Sequence, residues 1–489
     1  MDILPDWSAE DRATLLQRPI FGFASYGRVR FHHRSVIEYL AAHRVDRLIH
    51  AGMPLRAARR LLFSRTDQGL KVVKPSMRPL AAWLSLWHPS IFDEVCAREP
   101  EVLLQFGDPE SIQIDSSIRV VQTYANVYGR GNWRGTRIPP VQVARFASKE
   151  LQPSVEELWE SGIENPEVRE LLLEMIAVAP SQRGVAISMS VLSDPNRGLG
   201  ERLQALDALV KANDERLVGW FRTLNPSDPA WNERLVRNSI PRIFPRHIAP
   251  TSVAYLLDQL VVSTRTVEML GHALTSLIEH ETFEPGYLDD LRRILASAAH
   301  SKVEWQATWP HLRSNRPDLL EYLAAICFVQ LREGLATDEL VDCAVLTLRL
   351  SRHDHDHVGQ DSFVKLRGLV QESTASLRQR VFWSDCDIVQ RLHSEPDPWK
   401  RFIESNHHGA FRLERTRDWG WVQSFIADSS NSLDKRAVAL EAAMYMRPED
   451  STIDAYALDL RLLVKDSHTL GQIVDQWLAP KPINEQMRA

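Results

Sequence analysis

The apolar periodicity of the chain changes at residues 31–42, which read Phe31-His32-His33-Arg34-Ser35-Val36-Ile37-Glu38-Tyr39-Leu40-Ala41-Ala42. Before this stretch, apolar residues alternate with small or basic residues on both sides of a glycine-containing turn at 25–27. A period of two around such a turn predicts a β-hairpin, and we expect it to be the only sheet in the chain. Ser35 and Glu38 have the spacing of a capping box, which predicts that a helix starts at Ser35.

Helical periodicity dominates the rest of the sequence. A short helix is predicted over residues 8–18 with Ser8 as its cap, and Asn165 followed by Pro166 is typical of a helix start. A further helix begins at Leu199 and ends before Asn213. Other apolar stretches with helical spacing begin near Ser252, Thr266, Tyr287, Pro317, Glu339, Phe363, Leu433 and Ala455.

These helix starts recur about every 20 residues, so helix pairs recur at about 40, which is within the range of HEAT-like arrays. No repeated consensus accompanies the period. The sequence therefore predicts a mainly α fold, an α-solenoid of HEAT-like helical repeats, preceded by a small winged-helix-like β-hairpin.

Composition is that of a soluble globular protein. The 489 residues are 44% hydrophobic and 25% charged, and the net charge of −6 gives no general attraction to nucleic acid or to anionic membranes. No apolar run approaches the roughly 20 residues that span a bilayer. We therefore expect a cytoplasmic protein with no membrane or nucleic-acid partner. Four cysteines without CxxC spacing predict buried, reduced thiols: Cys96, Cys327, Cys343 and Cys386.

The stretch at residues 31–42 resembles the winged-helix signature that closes the nucleotide-binding module of NACHT-type STAND ATPases. Val36 and Ile37 depart from the family pattern, which has an aromatic residue and a glutamine there. In that family the histidine approaches the β-phosphate of bound ADP, so the resemblance implies this role for His33. The matching residues are Phe31, His33, Ser35, Glu38, Tyr39, Leu40, Ala41 and Ala42.

The sequence contains no Gly-x-x-x-x-Gly-Lys-[Ser/Thr] motif and no acidic strand of the kind that accompanies it in such ATPases. We therefore expect no ATPase core in this chain. The alternative for His33 is a structural histidine at a strand–helix junction, since the other parts of a nucleotide site are missing from the sequence.

Several downstream segments resemble, less sharply, the regions that follow the winged helix in large bacterial STAND ATPases: 73–84, 99–104, 107–109, 381–383 and 418–421. The resemblance implies a winged-helix remnant at 1–50, a helical connecting region at 51–150, a helical-repeat sensor at 151–478 and a flexible tail at 479–489. Such proteins often act in phage defence, where the repeats recognise a viral component.

The run His353-Asp354-His355-Asp356-His357 is the most metal-like pattern in the chain. As a strand it aligns three imidazoles, and as a helix it places His353 and His357 one turn apart. Either arrangement suits zinc with one further ligand. The run also follows an apolar helix, where a solvated loop between repeats is the simpler interpretation.

The glycine-rich run from Gly129 to Gly135 has neither the spacing nor the lysine of a phosphate-binding loop, so we expect a surface loop. Its Trp133 is flanked by Arg130 and Arg134, and this combination suits contact with a protein partner.

No catalytic motif for acyl transfer or metal-assisted hydrolysis is present, so we expect neither enzymatic activity nor a cofactor. The leading hypothesis is the ligand- or protein-recognition part of a STAND/NACHT-type ATPase, with a protein ligand and an NTPase half acting in trans. The alternative is a stand-alone α-helical scaffold for protein assembly. The two differ at residues 1–50, because a segment that docks on an ATPase core should expose apolar surface. An enzymatic interpretation rests only on the His/Asp run.

Overall fold

The computed structural model describes residues 8–18, 20–24, 28–131, 135, 137–260, 269–306, 311–351, 361–449 and 451–478. The protein is mainly helical, with 71% helix and 3% strand, and the described residues include twenty-six α-helices. The predicted helical fold is confirmed. None of the helices described has the length and apolar content needed to cross a membrane.

Two compact units divide the chain, Met1–Leu235 and Val236–Ala489. The sequence suggested boundaries at residues 50, 150 and 478 instead, and those boundaries stay predictions.

Unit 1 opens with a short helix, a hairpin and a long helix: α1 (Ala9–Leu16), β1 (Phe21–Ala24), β2 (Arg28–Phe31) and α2 (Arg34–His50). The two strands are antiparallel, with Phe21 opposite Phe31 and Ala24 opposite Arg28, which confirms the predicted hairpin. Ser8 caps α1 as predicted. Its Oγ accepts from the Asp11 N–H at 3.0 Å, and Asp11 Oδ2 accepts from the Ser8 N–H at 3.2 Å.

The predicted capping box at the start of α2 is wrong. The helix begins at Arg34, one residue earlier than expected, and His33 occupies the N-cap with no side-chain cap bond. Ser35 therefore lies inside the first turn, where it cannot act as the cap residue. The Glu38 carboxylate pairs with Arg34 Nε at 2.9 Å, an i, i+4 ion pair.

The remainder of unit 1 is a succession of short helices with one further hairpin. In chain order the elements are α3 (Leu55–Leu62), β3 (Phe63–Arg65), β4 (Lys71–Val73), α4 (Arg78–Ser85), α5 (Pro89–Arg98), α6 (Glu101–Gln105), α7 (Ile114–Tyr128), α8 (Pro140–Phe146), α9 (Gln152–Glu160), α10 (Pro166–Val178), α11 (Gln182–Ser193), α12 (Leu199–Lys211) and α13 (Arg216–Thr223). Helix α14 (Glu233–Ile243) spans the division between the units.

Unit 2 contains the remaining helices and a third hairpin. They are α15 (Pro250–Gln259), α16 (Met269–His280), α17 (Tyr287–Ala299), β5 (Glu304–Gln306), β6 (His311–Arg313), α18 (Leu320–Arg332), α19 (Asp338–Ser351), α20 (Asp361–Glu372), α21 (Ala375–His393), α22 (Pro398–His408), α23 (Arg415–Ala427), α24 (Leu433–Tyr445), α25 (Ile453–Leu463) and α26 (His468–Leu478).

The expectation of a single sheet is wrong, since three two-stranded sheets are present. Strands β3 and β4 pair Phe63 with Val73, and β5 pairs with β6. Each of these four strands has three residues, which is too short for an alternating pattern to be recognised in the sequence.

Most helix starts were predicted to within about three residues, the usual uncertainty of such boundaries. Asn165 Oδ1 accepts from the Glu167 N–H at 2.9 Å, which confirms the cap of α10. The predicted start near Thr266 lies outside the described residues.

Within each unit, helices pack against their second neighbours along the chain. In unit 1, α10 packs on α12. In unit 2 such pairs include α15 with α17, α16 with α18, α18 with α20, α19 with α21, and α22 with α24. This arrangement buries apolar faces of neighbouring helices against each other.

Candidate functional site

Helix α2 is held to unit 1 along one face only. Tyr39, Ala42 and Asp46 lie at i, i+3 and i+7 and so share that face. Ala42 is the one buried residue among the 17 of the helix. Asp46 Oδ1 and His88 Nε2 are 2.9 Å apart, which ties the middle of α2 to the turn after α4.

Aromatic rings make most of the contact along the same face. The Tyr39 ring meets Trp83 and Trp87 edge-on, with centroids 5.0 and 5.9 Å apart. His43 stacks on Tyr39 at 6.1 Å and also lies 6.4 Å from Trp87. Edge-to-face packing of this kind stabilises by about 0.5–1.5 kcal/mol per pair beyond the area buried.

The opposite face of α2 carries apolar side chains that nothing covers among the described residues. Ile37 is 47% exposed, Leu40 44% and Leu48 36%. Their spacing of three and eight residues puts them on one side of the helix, and we call these three residues the α2 stripe. Single exposed apolar residues are common, whereas aligned ones form a surface that favours a partner.

Charges beside the α2 stripe are mainly positive. Arg30, Arg44 and Arg47 are exposed and have no ion-pair partner within the described part of the chain. The two acids of α2 are both engaged, Glu38 with Arg34 and Asp46 with His88. Arg44 lies one turn from both Leu40 and Leu48, so the surface combines apolar and basic side chains.

The sequence-based reasoning expected exposed apolar surface within residues 1–50 if the segment docks, and that surface is present. The resemblance does not indicate the α2 stripe, because in the family pattern Ile37 is only a mismatch. The helical spacing of Ile37, Leu40 and Leu48 was the signal that could have revealed it.

Two adjacent histidines at the junction of β2 and α2 have different surroundings. The His32 imidazole packs against the hairpin, where a Cβ added to Gly22 would lie 3.0 Å from its Cε1. His33 is exposed at the N-cap, and its ring makes no cap bond. Both histidines are exposed, and His33 lies one turn before Ile37 of the α2 stripe. Its role toward a nucleotide stays a prediction.

Arg130, predicted to contact a partner, is exposed directly after α7. Its companions Trp133 and Arg134 lie outside the described residues. The base of this loop is fixed because the Gly129 carbonyl accepts from the N–H groups of Glu164 and Asn165 at 2.9 and 3.0 Å. Partner contact through this loop stays a prediction.

The predicted metal ligands His353, His355 and His357 also lie outside the described residues. Within the described part of the chain, no group of three or more His, Cys, Asp or Glu side chains is arranged to hold a metal ion. The zinc site therefore stays a prediction.

All four cysteines are buried and free, as predicted. Cys327 Sγ and Cys343 Sγ lie 3.8 Å apart between α18 and α19. Burial raises the pKa of the Cys386 thiol to about 12, so this sulfur stays protonated at neutral pH.

The chain matches no protein-family model, no curated protein and no solved structure with which it was compared. The resemblance of residues 31–42 to NACHT/STAND ATPases stays a prediction.

Proposed function

We propose that this chain is the recognition part of a NACHT/STAND-type ATPase and that it docks through the α2 stripe on a nucleotide-binding half. One observation carries the proposal: α2, whose first residues resemble the family signature, has a single buried residue and an apolar face that no described residue covers. A helix held along one face gains stability when a partner covers the other.

The physical chemistry of the surface indicates what kind of partner fits. Full burial of an aliphatic side chain contributes about 1.5–3 kcal/mol to stability. Each residue of the α2 stripe is roughly half buried already, so a partner could add about half of that amount per residue. Arg30, Arg44 and Arg47 have no internal counterion among the described residues, so an acidic rim on the partner complements them. His33 lies next to this surface and would add an imidazole donor for a phosphate oxygen.

The helical part of the chain supplies the recognition surface in this proposal. Packing of second neighbours, as in α16 on α18 and α22 on α24, is compatible with a HEAT-like solenoid. Each layer of such an array varies its exposed residues without changing its core. A captured protein ligand would bias the closed-to-open equilibrium of the nucleotide-binding half, in prokaryotic defence or signalling.

The first test concerns the DNA upstream of the Met1 codon in the source genome. We expect a reading frame that encodes Gly-x-x-x-x-Gly-Lys-[Ser/Thr], and its product should bind this chain. An unrelated neighbouring gene, or a product that does not bind, would contradict the proposal.

The second test locates the contact. Ile37→Ser combined with Leu40→Ser should weaken binding to that product at least about tenfold, the effect of losing about 1.4 kcal/mol. The matched control is Val141→Ser, which alters a strongly exposed valine of α8. Equal binding by both variants would exclude the α2 stripe as the contact.

The third test concerns hydrolysis. This chain by itself should show no ATPase activity, because its sequence has no phosphate-binding motif. Activity in the purified chain that a point substitution abolishes would overturn the proposal.

A stand-alone scaffold is the second candidate, and an observation in unit 2 favours it. Helix α25 exposes Leu458 and Leu462, which lie one turn apart on a face that no described residue covers. A scaffold would bind its partners constitutively through such faces, without a nucleotide. Binding that is unaffected by the α2 stripe variant and lost with Leu458→Ser would support this alternative.

A further inference from the structure

A cleft of about 440 Å³ lies within unit 2, between α20, the end of α22 and the segment 409–414. Its volume is within the range of small-molecule sites, about 300–1,000 Å³. The segment 409–414 has no regular secondary structure, so its shape depends on the side chains that hold its backbone.

Three buried side chains accept hydrogen bonds from this segment. Asp385 Oδ2 accepts from the Ala410 N–H at 2.7 Å, and Asn406 Oδ1 accepts from the Leu413 N–H at 2.9 Å. Asp418 Oδ2 accepts from the N–H of Glu414 at 2.7 Å. Buried acceptors with good geometry fix a loop in one conformation, so the wall of the cleft is preformed.

Buried arginines balance the two aspartates. Arg349 pairs with Asp385, and Arg378 pairs with Asp418 through contacts of 2.8 and 2.5 Å. Arg378 Nη2 also donates to the Arg412 carbonyl at 3.3 Å. Because each buried carboxylate has its own counterion, neither leaves an uncompensated negative charge next to the cleft.

Gly409 allows the segment to approach α22 and α21 closely. A Cβ at this position would lie 2.0 Å from the Ser405 carbonyl oxygen and 2.1 Å from Asp385 Oδ2. Only a residue without a side chain fits there.

Two arginines line the cleft without an internal counterion. Arg367 and Arg412 have neither a side-chain hydrogen bond nor an ion pair among the described residues. The atoms around the guanidinium partly desolvate it and so lower the pKa of Arg367, although the residue as a whole is exposed. An anion that binds in the cleft would stabilise the charged form of this guanidinium.

The unpartnered side-chain amide of Asn406 is a second, independent observation that favours a bound ligand. Its side chain is 1% exposed and forms part of the cleft wall, and its Nδ2 is buried without an acceptor. A buried amide donor without a partner costs about 1–3 kcal/mol, which a bound acceptor would recover.

Glu414 is the one acidic side chain that lines the cleft. Its Oε1 accepts from Gln371 Nε2, and its Oε2 lies 3.4 Å from Arg417 Nε. Its charge is therefore already partnered, and the unpartnered charges of the cleft are positive.

We propose that this cleft binds a small organic molecule through an oxyanion, either a phosphate or a carboxylate, held by Arg367 and Arg412 above the Asn406 amide. Guanidinium groups bind both oxyanions through paired N–H donors. The half-exposed Tyr445 ring lines the cleft as well and offers a flat apolar face to the rest of the ligand. This site is independent of the α2 stripe.

Calorimetric titration of the full chain at low ionic strength tests the site. Pyrophosphate serves as the phosphate probe and citrate as the carboxylate probe. We expect saturable binding of one of them with one site per chain, and the stronger binder identifies the class of oxyanion. Absence of binding by both probes would overturn the proposal.

Two substitutions locate the site. Arg412→Gln and Arg367→Gln should each weaken probe binding at least about tenfold, since each removes a charge-assisted contact. Both side chains are exposed enough that the fold should tolerate glutamine. Arg391→Gln, at an exposed arginine of α21 that does not line the cleft, is the matched control. Equal losses in all three variants would indicate nonspecific attraction and overturn the proposal.

A third substitution tests the amide. Asn406→Asp keeps the acceptor for the Leu413 N–H and replaces the donor with a carboxylate, so probe binding should be abolished. Unchanged binding in a folded Asn406→Asp protein would contradict the assignment of this residue. None of these outcomes bears on the α2 stripe, so failure here and failure of the docking proposal are distinguishable.

Discussion

Helix α2 and the segment 409–414 are held in opposite ways. The helix is regular and 17 residues long, yet it has one buried residue and an apolar face that no residue in the described part of the chain covers. The segment has no regular structure, yet Asp385, Asn406 and Asp418 each fix one of its backbone N–H groups. Regular secondary structure is therefore a poor guide to how firmly a part of this protein is held, and buried side-chain contacts are a better one.

The largest effect should come from breaking the ion pair behind the segment. Asp418→Ala leaves Arg378 fully buried without its counterion and removes the acceptor of the Glu414 N–H. We expect the free energy of unfolding, measured with urea, to fall by about 3–5 kcal/mol. The control is Asp387→Ala, which breaks an exposed pair with Lys435 and should cost less than about 1 kcal/mol. Similar losses in the two variants would contradict this view of the network.

A buried histidine should make the stability of unit 2 depend on pH. Burial lowers the pKa of His300 from 6.5 to about 4, with a smaller contribution from Arg391. Because the unfolded chain binds this proton more readily, stability is highest above pH 6.5 and falls as the pH decreases toward 4. The loss attributable to His300 is about 3 kcal/mol.

Urea unfolding between pH 7 and pH 4 measures this effect by comparing the native protein with His300→Gln, which does not titrate. The native protein should lose more stability over that interval than the variant. Parallel pH profiles would show that the histidine is neutral in both states or charged in both.

A smaller loss is expected from filling the close approach at Gly409. Gly409→Ala should destabilise by about 1–3 kcal/mol, since its Cβ would meet the backbone of Ser405 and the carboxylate of Asp385. Gly420→Ala in α23 is the matched control, because nothing lies within 4 Å of the added Cβ. In a helix interior this control should stabilise by up to about 1 kcal/mol. Thermal unfolding measures both variants. A lower melting temperature for Gly409→Ala than for Gly420→Ala would support the close approach of Gly409 to Ser405 and Asp385, and equal melting temperatures would contradict it.

The smallest effect on stability should come from the α2 stripe. Leu40→Ser removes an exposed side chain and should change the free energy of unfolding by less than about 0.5 kcal/mol. Tyr39→Ser, one residue away, removes the ring that packs on Trp83 and Trp87 and should cost clearly more. If Leu40→Ser were the more destabilising of the two, α2 would be buried on the face assigned here to a partner.

Local signals in the sequence predicted local structure well. Ser8 and Asn165 were recognised as helix caps because the accepting side chain and the backbone N–H that donates to it lie within three positions of each other. The same reasoning failed at Ser35, because the helix starts one residue earlier and a cap depends on exact position. Exposed apolar surface within residues 1–50 was expected only if this segment docks on a partner. The α2 stripe is recognised only from the helical spacing of Ile37, Leu40 and Leu48.

The cleft could not be predicted from the sequence, because its walls are held by contacts between residues that are far apart along the chain. Arg378 and Asp418 are 40 residues apart, and Arg349 and Asp385 are 36 apart. Nothing local distinguishes such buried pairs from the many solvated charges of the chain. Only the packing of α19, α21 and α23 brings them together behind the segment 409–414.

The buried thiols give the protein built-in reporters of unfolding. A thiol-labelling reagent reaches a cysteine only when the surrounding helices open, so the rate of modification measures that opening. Cys96 lies in unit 1, and Cys327, Cys343 and Cys386 lie in unit 2. Mass spectrometry of partly labelled protein would therefore time the opening of each unit separately, without any engineered probe.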